Sequence, residues 1–174
     1  MAITTPICSF GEKAKNFTLP STDGKKISLF DIKGENGTLI AFICNHCPYV
    51  QSIITALVND CKYLESFGVR SVAIMSNDVN AYPEDSFNNM KLFAKKHNFS
   101  FPYLFDEDQA VAKKYGAVCT PDFFGYNKDL ELQYRGRIFA ARPTELSTAM
   151  QLISKTGNGP NIQFPSMGCN IKWK

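Results

Sequence analysis

Thr38 to Met75 constrains the fold of this chain more than any other stretch. Thr38 to Ile43 is a continuous apolar, β-prone run, which suits a strand buried on both faces in the middle of a sheet. After Cys47-Pro48, residues Val50, Ile53, Ile54, Leu57, Val58, Cys61 and Leu64 recur at steps of three and four, the pattern of an amphipathic helix. Gly68 supplies the stop, and Val69 to Met75 is a second apolar strand. Strand, helix and strand form a right-handed βαβ unit with a parallel pair, so an α/β protein with a central sheet flanked by helices is expected.

The flanking segments extend that unit. Asn16–Pro20, the Asp23-Gly24 turn and Lys25–Leu29 predict an N-terminal β-hairpin. Pro83 to His97 reads as a helix whose opening Pro-Glu-Asp favours the positive end of its dipole. His97 would cap its far end, and Asn77-Asp78 falls at the sheet edge where α/β sites gather. Tyr103–Phe105 is a short strand, Glu107–Tyr115 a short helix, and Phe123–Tyr126 with Leu130–Tyr134 an antiparallel pair. A last helix from Pro143 to about Lys155 precedes residues 156–174, which read as an irregular tail. At 174 residues, one domain over 1–174 is expected.

The net charge of +3 is dispersed over pairs such as Lys25-Lys26, Lys95-Lys96 and Lys113-Lys114, which argues against nucleic acid as a partner. The longest apolar run, Leu39 to Cys44, is far below the roughly 18 residues of a membrane span, so no membrane partner is expected. The first residues show no secretory pattern, and a reducing cytoplasm is the expected location. Six cysteines in such a compartment are not a disulfide framework and must be sorted one by one.

Cys44-Asn45-His46-Cys47 lies between the buried strand and the helix, the context that gives a CxxC chemical meaning. Unpaired N–H groups at a helix N-terminus stabilise a thiolate, which is the nucleophilic form. Pro48 suits the first helical position, so Cys47 becomes the N-cap and the expected attacking thiolate, with Cys44 as its intramolecular partner. An imidazolium on His46 would depress the thiol pKa further. A single CxxC is half of a four-thiolate zinc site and the other cysteines form no second pair, so neither metal nor cofactor is expected. Covalent haem needs His where Pro48 stands.

Cys119-Thr120-Pro121 precedes a strand, where a cis proline could bring its backbone against the reactive sulfur. Cys119 is then an auxiliary thiol or a buried small hydrophobe. Cys61 belongs to the apolar helix face, Cys8 has no evident role, and Cys169 in the tail is either a resolving thiol or inert.

The run Cys44-Asn-His-Cys-Pro-Tyr-Val50, Ser76-Asn-Asp-Val79, Tyr82-Pro-Glu-Asp-Ser86, Cys119-Thr-Pro-Asp-Phe-Phe124 and Pro165-Ser-Met-Gly-Cys-Asn-Ile-Lys-Trp-Lys174 resemble the peroxiredoxin-like branch of the AhpC/TSA redoxins, over nearly the whole chain. The resemblance implies a thioredoxin fold, a redox-active cysteine and a cis Pro121. Cys47-Pro48-Tyr49-Val50 is similar to the thioredoxin CxxC with its second cysteine replaced by Val50. Two departures stand out. True peroxiredoxins carry Pro-x-x-x-Thr-x-x-Cys and an arginine at the peroxide site, and no such motif precedes either cysteine. The family's acidic Asp-Asp-Ser-Arg-Pro appears as Phe139-Ala-Ala-Arg-Pro143, without its carboxylates.

These readings lead to a thiol–disulfide oxidoreductase acting on protein or small-molecule thiols and disulfides through a mixed disulfide at Cys47. A thiol-dependent peroxidase is the runner-up. A partner-binding module that has kept the fold is the third reading, favoured by aromatics such as Tyr49, Tyr82, Phe123 and Phe124.

Overall fold

The computed structural model describes residues 1–139 and 141–174; Ala140, within the Phe139–Pro143 stretch, lies outside the described residues. In chain order the elements open with β1 (Ala2–Thr4) and the hairpin β2 (Thr18–Pro20) and β3 (Lys26–Ser28), paired Leu19 to Ile27 as the Asp-Gly turn requires. Then come β4 (Gly37–Phe42), α1 (Pro48–Glu65), β5 (Val69–Met75), α2 (Phe87–Lys96), β6 (Tyr103–Phe105) and α3 (Ala110–Tyr115). The last elements are β7 (Cys119–Thr120), β8 (Asp122–Asn127), β9 (Leu132–Tyr134), α4 (Glu145–Thr156) and β10 (Met167–Asn170).

Five strands form the central mixed sheet in the order β6-β5-β4-β8-β9. The β4–β5 and β5–β6 pairs are parallel, and the β4–β8 and β8–β9 pairs antiparallel. Every residue of β4 is buried, which is why its sequence is a continuous apolar run rather than an alternating one. Leu39, Ala41 and Ile43 join the core with Val50, Ile54, Leu57 and Leu64 of α1 and Met150 and Ile153 of α4. Ile40 and Phe42 point to the other face, against Phe17, Leu29, Val111 and Tyr115. Each fully buried aliphatic side chain in these layers contributes about 1.5–3 kcal/mol relative to exposure.

Three expectations need correction. The helix expected over Pro83–His97 is a short 3-10 turn at Pro83–Asp85 followed by α2, because the Ser86 hydroxyl captures the Asn89 amide and starts the helix there. The helix expected from Glu107 begins at Ala110, since the Asp106 carboxylate takes the Val111 and Ala112 amides. The irregular tail contains β10, which lies between β1 and β7 in a three-stranded antiparallel sheet. Gly168 makes this possible: a Cβ there would stand 2.0 Å from the Thr120 carbonyl oxygen.

Candidate active site

The chain leaves β4 at Phe42 and enters α1 at Pro48, so residues 43–47 cross the carboxyl end of the sheet. Cys47 is the N-cap, with extended φ −68° and ψ 123°, and Pro48 is the first helical residue, as the sequence indicated. The Thr120–Pro121 peptide is cis. Its carbonyl side faces the helix entrance: the Cys47 sulfur is 3.2 Å from Thr120 O, and the Cys44 sulfur 3.4 Å from Thr120 Oγ1. Strand β10 closes the third side, its register setting Cys169 opposite Thr120.

Three thiols therefore converge. The Cys44 thiol, the Val50 amide at the start of α1, and the amide and thiol of Cys169 all favour the charged form of Cys47. The Cys44 hydrogen bond is the largest influence and holds the Cys47 thiol well below the ordinary range, against the opposing effect of burial. Cys44 moves the opposite way, because donating to Cys47, burial and the nearby Asp85 charge all favour its protonated form. Burial, and then its hydrogen bond to Cys47, also raise Cys169. The shifts are opposed: Cys47 is drawn toward its charged form, and Cys44 and Cys169 toward their protonated forms.

Behind the sulfurs lies a polar layer. His46 Nδ1 is 2.6 Å from Asp85 Oδ2 and 4.0 Å from the Cys44 sulfur, and the ring stacks on Tyr82 at 5.6 Å and 8°. Asp85 has no exposed surface. Its carboxylate also accepts the Asn45 amide (2.8 Å), the His46 amide (3.3 Å) and Asn77 Nδ2 (2.8 Å). Asn77 Oδ1 in turn takes the Lys172 amide just beyond β10, and Tyr103 Oη donates to Asn45 Oδ1 at 2.9 Å.

Six residues singled out in the sequence meet here: Cys44, His46, Cys47, Thr120, Pro121 and Cys169. Pro48 is exposed and acts by starting the helix. Cys119 is buried with its sulfur 3.6 Å from Pro121 O, and burial pushes its pKa up to about 12, the state of a small hydrophobe rather than an auxiliary thiol. Cys61 is in the core, as expected, and Cys8 lies elsewhere, beside Arg135. Phe123 and Phe124 are corrected: both are buried, on opposite faces of the central sheet, and offer nothing to a partner. Asp85 was read as a helix-start carboxylate; its burial against His46 had no local signal apart from its place in the Tyr-Pro-Glu-Asp-Ser motif.

Both central sulfurs are covered: Cys47 is 0% exposed and Cys44 1%. Cys44 Sγ, His46 Nδ1 and an Asp85 oxygen lie within 4.8 Å of one another, a set of metal-ligand types. The Asp85 oxygens already accept four hydrogen bonds, one of them from His46 Nδ1 itself, so the cluster is satisfied without an ion.

A cysteine at a helix entrance facing a cis proline, on a mixed sheet with crossover helices, defines a thioredoxin-like protein. The fold is shared with the thioredoxin domain of a thiol-disulfide oxidoreductase from Bacteroides vulgatus (TM-score 0.62, 15% identity, covering 73% of this chain and 87% of that one). The AhpC/TSA family matches residues 10–140, and the chain belongs to that family. Its relatives include the thiol-disulfide oxidoreductase ResA of Bacillus subtilis, 29% identical over 70% of this chain and 63% of the relative. Another is the chloroplastic peroxiredoxin Q of Triticum aestivum, 29% identical over 67% of this chain and 49% of the relative. The chain thus spans less than two thirds of the length of either. A crystal structure of an uncharacterized conserved protein from Geobacillus kaustophilus matches throughout, with TM-score 0.94, 41% identity and coverage of 100% and 97%. No described helix is long and apolar enough to cross a membrane.

Proposed function

We propose that this protein is a thiol–disulfide oxidoreductase that cycles Cys44 and Cys47 between dithiol and disulfide. The observation that carries the reading is the convergence of two sulfurs on Thr120 at the entrance of α1, Cys47 Sγ 3.2 Å from its carbonyl oxygen and Cys44 Sγ 3.4 Å from its hydroxyl, with their pKa values shifted in opposite directions. A nucleophile and a resolving group need that asymmetry.

In the forward step the Cys47 thiolate forms a bond to one sulfur of a substrate disulfide and expels the other as thiolate. Cys44 then attacks the Cys47 sulfur of the mixed disulfide, its proton leaving with the second substrate thiolate. His46, its Nδ1 held 2.6 Å from Asp85 and 4.0 Å from the Cys44 sulfur, sets a polar ring beside the resolving sulfur. Thr120 Oγ1 gives Cys44 a further hydrogen bond. Because the sulfurs are covered, an external disulfide meets them when the covering chain moves or when a more exposed thiol hands the bond on.

Relatives named as thiol-disulfide oxidoreductases support the reading. The proposed substrates are protein or small-molecule disulfides, and the proposed compartment is the reducing cytoplasm, where a CxxC of this kind works as an exchanger rather than a staple. The test is equilibration against glutathione redox buffers followed by alkylation and mass mapping. A two-electron transition assigned to Cys44–Cys47, abolished in Cys47→Ser, is expected; absence of that disulfide at every potential overturns the reading.

A second reading, thiol-dependent peroxide reduction, draws on the same burial, since hydrogen peroxide needs far less access than a disulfide, and on relatives named as peroxiredoxins. The one hydroxyl shown against this sulfur pair, Thr120 Oγ1, faces Cys44 rather than Cys47. Consumption of hydrogen peroxide with a thiol donor separates the two readings.

A further inference from the structure

The Cys47 sulfur has no exposed surface, and its two thiol neighbours differ in exposure. Cys44 is buried behind it, whereas Cys169 is partly exposed at the rim. Cys169 is also held firmly. Strand β10 is hydrogen-bonded on both sides, with Cys169 opposite Ala2 on β1 and opposite Thr120 on β7. Because side chains alternate along a strand, a slip of one residue would turn Cys169 away from Cys47. The close approach of Gly168 to the Thr120 carbonyl prevents that slip: any side chain at that position would push the strands apart. The same Thr120 carbonyl lies 3.2 Å from the Cys47 sulfur, so a single strand pairing sets the distance from the rim thiol to the buried one.

We propose that Cys169 is the entry thiol of the exchange: an external disulfide is taken first at Cys169 and passed inward to Cys47 and then to Cys44. This rests on the Cys44–Cys47 exchange proposed above and adds to it the route from solvent.

Each transfer balances. Cys169 attacks one sulfur of the external disulfide, forming a mixed disulfide and expelling the other half as thiolate. The Cys169 proton goes to the expelled thiolate, the stronger base. The Cys47 thiolate attacks the Cys169 sulfur; the Cys47–Cys169 disulfide forms and the second substrate thiolate leaves. Cys44 then attacks Cys47, and Cys169 departs with the proton of Cys44. The external disulfide has gained two electrons, Cys44 and Cys47 have lost them, and Cys169 is regenerated. Running backwards, the same relay delivers a disulfide outward.

The test uses the reduced full-length protein and oxidised glutathione, with acid quenching over time, alkylation and mass mapping. In the unmodified protein glutathione is expected first on Cys169, then a Cys47–Cys169 disulfide, then Cys44–Cys47. Cys47→Ser should stop with glutathione on Cys169, and Cys44→Ser should stop at Cys47–Cys169. Cys169→Ser should still reach Cys44–Cys47, but about tenfold or more slowly, because each attack then waits for the buried thiolate to be uncovered. If Cys169→Ser oxidises at the unmodified rate and glutathione appears first on Cys47, the relay is overturned while the Cys44–Cys47 exchange stands. If Cys44–Cys47 forms in neither protein, both fail.

Discussion

Asp122 and Asp85 are both fully buried, and they are neutralised in opposite ways. Asp122, at the start of β8, receives Arg135 through two bonds, Nη2 at 2.9 Å and Nε at 3.3 Å, and the Val118 amide at 3.2 Å. Arg135 is itself tied down, donating to Gly116 O and lying 4.4 Å over the Phe124 ring. Asp85 has no guanidinium. It faces an imidazole whose side chain is 27% exposed, together with two backbone amides and one carboxamide. Arg keeps its charge at any accessible pH and His does not. The difference separates a closed ion pair that locks a turn from an adjustable one placed where charge appears and disappears. The thiols beside each carboxylate follow suit: Cys119, raised by burial and then by Asp122, is inert, whereas Cys44 and Cys47 sit within reach of the His46–Asp85 pair.

The largest effect expected from this contrast is on Arg135. Arg135→Met leaves the Asp122 charge buried without its cation, a change of about 3–5 kcal/mol, which corresponds to a fall of roughly 6–20 °C in Tm for a chain of this size. The exchange rate per folded molecule should stay within about twofold, since Arg135 acts through packing and charge at the turn. Thermal melts and disulfide-exchange kinetics on one preparation check this; slowed exchange at unchanged Tm would erase the distinction between the two carboxylates.

The pH profile of alkylation comes next. The Cys47 pKa is lowered, so its thiolate persists as pH falls through the usual thiol range and is lost only well below it. Between about pH 8 and about pH 6 its iodoacetamide labelling should change by less than about twofold, where a free thiol of pKa about 8.5 slows roughly 75-fold. Cys119, with its pKa pushed up to about 12, should stay unlabelled throughout. Burial of Cys47 slows its labelling at every pH without altering the profile. A free-thiol profile at Cys47 would remove the basis of the proposed chemistry.

How much of this was legible in the sequence follows from the range over which each signal acts. The N-cap at Cys47 was readable because it depends on Pro48 alone, and α1 because its apolar steps repeat locally. The turn at Thr120–Pro121 carried its own proline. Asp85 was not readable as a buried partner: its contacts with His46 and Asn45 span about forty residues, and locally it is one more acid at a helix start. Strand β10 was missed because Met-Gly-Cys-Asn shows no apolar alternation; its place comes from two partner strands and a missing Cβ at Gly168. The contact of Cys47 with Thr120 was invisible for the same reason, since it spans 73 residues.

His46→Ala isolates the adjustable half of the comparison. Asp85 keeps its two backbone donors and Asn77, so the melting temperature should move by only a few degrees, whereas the resolving sulfur loses the polar ring beside it. Attack by Cys44 on a preformed Cys47 mixed disulfide should slow about tenfold, equivalent to about 1.4 kcal/mol of lost stabilisation. Measuring that step alone, from a Cys47 adduct prepared in advance, distinguishes this role from one in substrate entry; an unchanged rate would make His46 a spacer.

The smallest change is expected at Asn77, which joins Asp85 to the segment beyond β10 through Asn77 Nδ2 on one side and Asn77 Oδ1 with the Lys172 amide on the other. Asn77→Ala removes one of the four donors on Asp85 and frees one backbone amide, a cost of about 1–2 kcal/mol. His46 and the two backbone amides still hold the carboxylate, so Cys44 attack should slow by no more than about threefold, less than in His46→Ala. The two variants therefore rank the supports of Asp85: the carboxamide fixes its position and the imidazole answers its charge. Reversal of that order, with Asn77→Ala crippling exchange and His46→Ala sparing it, would mean that the site depends on the placement of the final segment rather than on an ionisable partner, and Asp85 would then differ from Asp122 only in the identity of its donors.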